Sequence, residues 1–375
     1  MSDTSFKVSF IRPCYTRFWR AKKKEIQSAL NSCLERGDLT LRSDVWKFEE
    51  SLAKFVGSKY AVGVASGTDA LRLSLYALGI GPGDEVITVA NTFLATLEAI
   101  HWVGARPVLV DITENELMDV SKIERLINSK TKAILPVQYT GALCQMNKIL
   151  DIAKRHNLYV VDDYCQALGA RGAGAFGILN AVSFNTAKLL GGLCDGGAVT
   201  TDSRELYEKI CLLRNHWNIH QLSVDRNDYP QPEHMEWAWK SRLSNLNAAF
   251  LNVKFKILPW IIARREKVAR AYQEAFKDLP LGLPSEQEGR TWQEYHLRVS
   301  TREEFADFLM KKGIETLTRD SVPNHKMEGL GLSHWNLPVT ERLAKEILRL
   351  PLHEWLTANE IKYVIKCVKE FYTKK

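Results

Sequence analysis

The chain has 375 residues, 45% of them hydrophobic, with a formal net charge of +7, so it can bury one large core and a smaller one. The positive surplus is mild and dispersed apart from residues 22–24 and 374–375, which argues against a nucleic-acid partner and suits a small anionic substrate. Seven scattered cysteines without C-x-x-C pairs, no basic-then-apolar leader and no long apolar run argue against a disulfide framework, structural zinc, export and membrane insertion, and place the chain in the cytoplasm.

Short β-branched runs recur in chain order: YAVGVAS (60–66), DEVITVA (84–90), RPVLVDI (106–112), KAILPVQY (132–139), LYVVDDY (158–164), AVSFNT (181–186) and GAVTTD (197–202). Helix-length segments fall between several of them, among them GTDALRLSLYALG (67–79), TLEAIHWVG (96–104), MNKILDIAKRHN (146–157) and SRELYEKICLLRNH (203–216). This alternation predicts a mostly parallel sheet covered on both faces. In such sheets ligands bind outside the carboxyl ends of the strands. From residue 218 to 239 the chain is polar, aperiodic and carries two prolines, which reads as a long functional loop. A helix over 247–276 follows, kinked or broken at Pro259. EYHLRVS (294–300), REEFADFLMKKG (302–313), IETLT (314–318) and TANEIKYVIKCVKEFY (357–372) then predict a small α/β unit of two strands and flanking helices. The expected division is a large domain over 1–250 and a small one over 251–375.

Three strand ends carry candidate chemistry. At VASGTDAL (64–71), the N–H groups of a helix start, with Gly67 allowing close approach and Thr68 offering a hydroxyl, would cradle a phosphate; an ordinary N-cap reads the same way. LYVVDDY ends an apolar strand on two aspartates, and a buried carboxylate needs a cationic or hydrogen-bonding partner; one of them could hold a protonated ring nitrogen, or cap the next turn. Lys188, after AVSFNTA, lies among small and apolar residues that would desolvate an amine, although a lone lysine at a strand end more often faces solvent. Together a phosphate cradle, a buried carboxylate and a shielded lysine are what pyridoxal 5′-phosphate requires. Phe93, after DEVITVANT, could cover its ring or simply pack in the core. GAGAFG (172–177) matches a dinucleotide fingerprint but starts well after a strand, opens no helix and lacks the later acidic residue.

The ordered segments SGTDALRLSLYALGIGPGDEVITVANTFLATLEAI, VLVDI, DDYCQALGA, SFNTAKLLGGLCDGGAV, SRLSNLNAA and LPVTERLAKEILRLPLHEWLTANEI resemble the DegT/DnrJ/EryC1/StrS aminotransferases, from about residue 10 to the C-terminus. The resemblance implies a fold-type I pyridoxal-phosphate transferase: a mostly parallel seven-stranded sheet plus a smaller C-terminal α/β domain. It implies amino transfer from glutamate to a nucleotide-linked keto sugar, at C3 or C4, for an amino sugar of a surface polysaccharide or natural product. Lys188 matches the Schiff-base lysine and proton shuttle, Asp163 the partner of the pyridine nitrogen, Gln166 the residue near the ring hydroxyl, and Phe93 the stacking position. Thr68, Asp69 and Ser183 match phosphate-binding positions. The family works as a homodimer with shared sites, in which the 218–239 loop would reach the partner. Arg319 and His325 lie where the sugar would be selected, or else are plain surface.

Several positions depart from the family pattern. Lys240 stands in place of an Asn and could bring a cation to the partner's cofactor phosphate; Leu189 replaces an Asn, Tyr164 a small residue, and Trp217 adds bulk. These changes leave the implied cofactor chemistry intact and bear on the sugar pocket. Two alternatives stay in view: a deoxygenating member of the family, which would carry His at the position of Lys188, and a cofactor-binding regulator without turnover.

Overall fold

A computed structural model of the chain describes residues 6–10, 12–217, 236–318 and 322–373. Two helices, α1 (Arg12–Glu35) and α2 (Ser43–Val56), precede β1 (Tyr60–Val64) and α3 (Gly67–Ala77). Then come β2 (Glu85–Val89), α4 (Ala95–Trp102), β3 (Arg106–Val110), β4 (Thr131–Ile134), α5 (Met146–Arg155), β5 (Tyr159–Asp163), β6 (Leu179–Ser183), β7 (Gly197–Thr201) and α6 (Arg204–Leu213). Beyond the 218–235 segment, which lies outside the described residues, follow α7 (Asn245–Phe255), α8 (Leu258–Phe276), β8 (Tyr295–Arg298), α9 (Arg302–Lys311), α10 (Pro338–Glu346), β9 (Ile347–Leu350) and α11 (Ala358–Thr373).

All seven runs predicted as strands enter one sheet, in the order β1-β7-β6-β5-β4-β2-β3. β7 is antiparallel to both its neighbours, and the pairs from β6 across to β3 are parallel. The carboxyl ends of β1 to β6 therefore share one edge. The near-continuous apolar strands suit burial on both faces; β2, β6 and β7 are buried at every position. The crossover helices present apolar stripes to them, as α5 does with Met146, Ile149, Ile152 and Ala153.

The long C-terminal helix is in fact two, α7 and α8, bent by 60°. Pro259 sits in the first turn of α8, where its missing N–H costs no helical bond, so the break precedes it. Among the described residues no single helix is long and apolar enough to cross a membrane.

A second core gathers Val268, Tyr272 and Phe276 of α8 with β8, α9, β9 and α11, and takes in Val8 from the chain's start. β8 and β9 pair antiparallel, Tyr295 opposite Leu350. This corrects the expected second strand. IETLT makes only single bridges, Ile314 to Val8 and Leu317 to Arg349, whereas the true partner is ILRL, buried throughout.

Candidate functional site

The shared strand edge opens into a cavity of about 590 Å³. Most of its lining comes from the strand ends, loops and helix starts at the carboxyl ends of the large sheet's strands. After β1, Ser66 caps α3, its hydroxyl accepting from Asp69 N–H at 3.0 Å. Gly67 and Thr68 then occupy the first two helical positions, whose N–H groups have no partner within a helix, and both line the cavity. Gly67 is required by close approach: a Cβ there would lie 2.6 Å from Cβ of Ser183 at the end of β6. The Asp69 carboxylate points to its own helix and the chain beyond, taking Arg72 at 2.5 Å and the Ser241 hydroxyl at 2.9 Å.

The two aspartates of β5 face opposite sides, as the pleat demands. Asp163 lines the cavity and accepts from the Thr96 hydroxyl at 2.9 Å and from Cys165 N–H at 3.1 Å. It is 4% exposed and has no ion-pair partner among the described residues. Asp162 is buried on the other face, receives the Gln138 amide at 2.7 Å, and is pushed up to about 7 by burial. Gln166 also lines the cavity, its side-chain oxygen accepting from Thr140 N–H at 2.9 Å.

Phe93, 58% exposed, stands four residues beyond β2 at the cavity rim rather than in the core. Its loop is pinned by Asn324, which donates to the carbonyls of Ala90 (3.1 Å) and Thr92 (2.7 Å). Lys188 lies five residues past β6, half-buried, on the cavity wall with Ser183. The peptides on either side of it are held by one side chain that the sequence reading did not single out. Gln293 accepts from Leu189 N–H at 2.9 Å and donates to the Ala187 carbonyl at 3.1 Å.

Gln293 introduces a wall contributed by the β8–β9 unit. Glu294 forms an ion pair with Arg349 at 3.0 Å and meets His296 Nε2 at 2.9 Å; Arg349 donates to the Tyr139 hydroxyl at 3.1 Å, and His296 Nδ1 meets Glu116 at 2.6 Å. Burial alone would raise the Glu294 carboxyl, but Arg349 and His296 hold it at about 2. Burial likewise works against the His296 imidazolium, and the two carboxylates outweigh it, so its pKa is raised.

The structure thus brings Gly67, Thr68, Phe93, Asp163, Gln166, Ser183 and Lys188 to one cavity. It does not bring His325 there. That ring is fully buried, its Nε2 3.0 Å from Glu341, in the turn that carries Asn324. Arg319 lies outside the described residues, as does most of the 218–239 loop. Lys240 is exposed, bridged to Asn215, away from this chain's own cavity.

Two of the departures leave the cavity untouched. The Tyr164 ring packs on Gly174, where a Cβ would come within 2.8 Å of it, which accounts for one glycine of GAGAFG. Leu189 is buried in the core between α2, α7 and the sheet.

The profile of the DegT/DnrJ/EryC1/StrS aminotransferase family matches residues 20–369. A dTDP-3-amino-3,6-dideoxy-alpha-D-galactopyranose transaminase of Aneurinibacillus thermoaerophilus is 37% identical, over 93% of this chain and 96% of its own. A UDP-2-acetamido-2-deoxy-3-oxo-D-glucuronate aminotransferase of Pseudomonas aeruginosa is 33% identical, over 91% and 94%. Among solved structures, S. venezuelae DesV in complex with a ketimine intermediate superposes with a TM-score of 0.90 at 33% identity, covering 97% of this chain and 98% of that one. The chain belongs to the DegT/DnrJ/EryC1/StrS family and is a sugar aminotransferase with the fold of the pyridoxal-phosphate-dependent aminotransferases.

Proposed function

We propose that the protein moves the amino group of glutamate to C3 of a nucleotide-linked 3-keto sugar, with pyridoxal 5′-phosphate held in the 590 Å³ cavity. The observation that carries this reading is Asp163: a buried carboxylate with hydrogen-bond donors but no cation among the described residues fits a protonated ring nitrogen. C3 is favoured over C4 because the names of the Aneurinibacillus and Pseudomonas relatives both place the nitrogen there.

In this reading Asp163 keeps the ring nitrogen protonated, and Thr96 keeps Asp163 in place. Gly67, Thr68 and Ser183 hold the phosphate, with Lys240 of a second copy adding a cation in a homodimer that shares its sites, and Asp69 fixes the helix start that presents those N–H groups. Phe93 covers the ring and Gln166 meets its hydroxyl. Bound there, the cofactor supplies an electron sink for the bonds of the amino-bearing carbon. The Lys188 amine, on the cavity wall, would carry a proton between that carbon and the cofactor's C4′, across the nitrogen that joins them, in opposite directions in the two halves of the exchange.

The test begins with borohydride reduction of the purified holoprotein and peptide mapping. Label on Lys188 is expected; label elsewhere, or no cofactor, overturns the reading. Paired 3-keto and 4-keto sugar nucleotides with glutamate then read the position of the new amine by NMR, and amination of the 4-keto compound alone would overturn the C3 assignment.

A further inference from the structure

A second, smaller recess lies behind Lys188. It holds about 40 Å³, room for two or three water-sized groups, and shares Ala187, Lys188, Gln293 and Glu294 with the main cavity. Its far side is built from α7, α8, the chain's start and the segment after β9. Lys254 is 4% exposed, donates to the Gly191 carbonyl at 3.1 Å and lies over the Phe18 ring. Arg265 is 5% exposed and is matched by Glu354 at 3.0 Å, whose other oxygen takes the Cys14 thiol at 3.1 Å. His353 is 2% exposed, and neither of its ring nitrogens has a hydrogen-bond partner among the described residues.

Two features of this recess call for a ligand. Buried charges are normally paired, yet among the described residues Lys254 and Arg265 share the carboxylate of Glu354, Arg265 donating also to the Trp292 and Gln293 carbonyls, while Glu294 is held by Arg349 and His296. A buried polar ring with both nitrogens unmet destabilises the fold unless something enters to meet them. Burial lowers the His353 pKa to about 4, so the ring is neutral at physiological pH and offers one N–H. Burial also lowers the Lys254 pKa, partly offset by Glu354, and a second anion would offset it further.

We propose that this recess is the subsite for the side-chain carboxylate of a dicarboxylic amino donor, bound by the Lys254 ammonium and the His353 N–H. The inference rests on the transaminase reading above and deepens it by naming how the donor is chosen. The donor's α-carboxylate is attached to the reacting carbon and stays in the main cavity. Only a group that extends past Lys188 reaches the recess, and only a small anion both fits it and completes its charge. A nucleotide-linked sugar is far too large for it, so donor and acceptor share the reacting position in turn but diverge here.

The test has two arms on the holoprotein. In the first, calorimetry compares glutarate with butyrate, which lacks the second carboxylate, in wild type, K254M and H353L. In the second, the cofactor spectrum follows the donor half-reaction, and the half-saturating concentrations of glutamate and alanine are expressed as a ratio. Each variant is expected to weaken glutarate binding, and to shift the glutamate-to-alanine ratio, by about 10- to 100-fold, the worth of one charge-assisted hydrogen bond. H353L replaces an unmet polar ring with an apolar side chain and keeps the test available should K254M fail to fold. Equal glutarate binding and an unchanged ratio in both variants would mean that the recess holds only water, and the proposal falls. Failure of every amino donor to change the spectrum, with glutarate still discriminated, would instead count against the transaminase reading and leave the anion subsite standing.

Discussion

Gln293→Met tests whether the turn that carries Lys188 is held by the chain just before β8. Methionine keeps nearly the same volume, so the cavity cost is small and the change is confined to two hydrogen bonds. The first is the Leu189 N–H to the Gln293 oxygen at 2.9 Å; Leu189 is 3% exposed, so its donor would be left unmet at a cost of about 1–3 kcal/mol. The second, from the Gln293 amide to the half-buried Ala187 carbonyl at 3.1 Å, can be replaced by water and counts for about 1 kcal/mol. The sum, roughly 2–4 kcal/mol, bounds how far the turn carrying Lys188 can be released, equivalent to about 30- to 700-fold in any step that needs Lys188 in place. Single-turnover conversion of the holoprotein by glutamate, followed by the cofactor spectrum, reads that step directly. The rate is expected to fall at least tenfold while the secondary structure and the sugar-nucleotide affinity stay close to wild type. Conversion at the wild-type rate would refute the idea that Gln293 positions Lys188.

Replacing Lys188 with Arg keeps the positive charge but removes the nucleophilic amine, so borohydride should fix no cofactor to the chain, as intact-protein mass would show. Gly67→Ala places a Cβ 2.6 Å from Ser183 Cβ; overpacking of this kind costs about 1–3 kcal/mol, and a lower Tm together with easier loss of the cofactor on dialysis is expected. The folded-state pKa of Glu294 is depressed to about 2, so its stabilising contribution is present above the ordinary carboxylate value of 4.5 and is lost as pH falls from there through about 2. The acid limb of Tm against pH should be flatter in E294Q than in wild type. Asp162 has the opposite sign. Its folded-state pKa is raised from 3.8 to about 7, so the native state holds the proton more tightly and wild type loses stability as pH rises between those values. The Tm of D162N relative to wild type should climb across that window, and a constant difference would contradict the assignment.

Much of the sheet was legible because a strand buried on both faces writes itself as a short apolar, β-branched run, and seven such runs became its seven strands. ILRL escaped the same reading. It is only four residues long, includes Arg349 and follows directly on α10, so nothing local marks where the helix stops. IETLT has the composition of a strand, but its backbone meets β9 only at Leu317, and the continuous pairing goes to β8. Composition predicts which segments can extend; partner geometry decides which of them pair.

The site divides along a similar line. Residues that sit just past strands of the parallel sheet were readable, because topology alone sends the ends of β1, β2, β5 and β6 to one edge and so brings Thr68, Phe93, Asp163 and Lys188 together. The pleat could say that Asp162 and Asp163 face opposite ways, but not which of them faces the cavity; that needs the neighbours, Thr96 on one side and Gln138 on the other. Gln293, Glu294 and Arg349 are different in kind. They flank or sit within the strands of another core, more than a hundred residues beyond Lys188, and in the sequence they are polar side chains at short strands, the usual look of a solvated edge. Their meaning exists only once the β8–β9 unit is set against the sheet. Tyr164 and Leu189, conspicuous in the sequence because they break the family pattern, point into the scaffold instead. The two positions therefore bear on the scaffold, and the polar groups that meet the cavity beside Lys188 come instead from the wall supplied by β8 and β9.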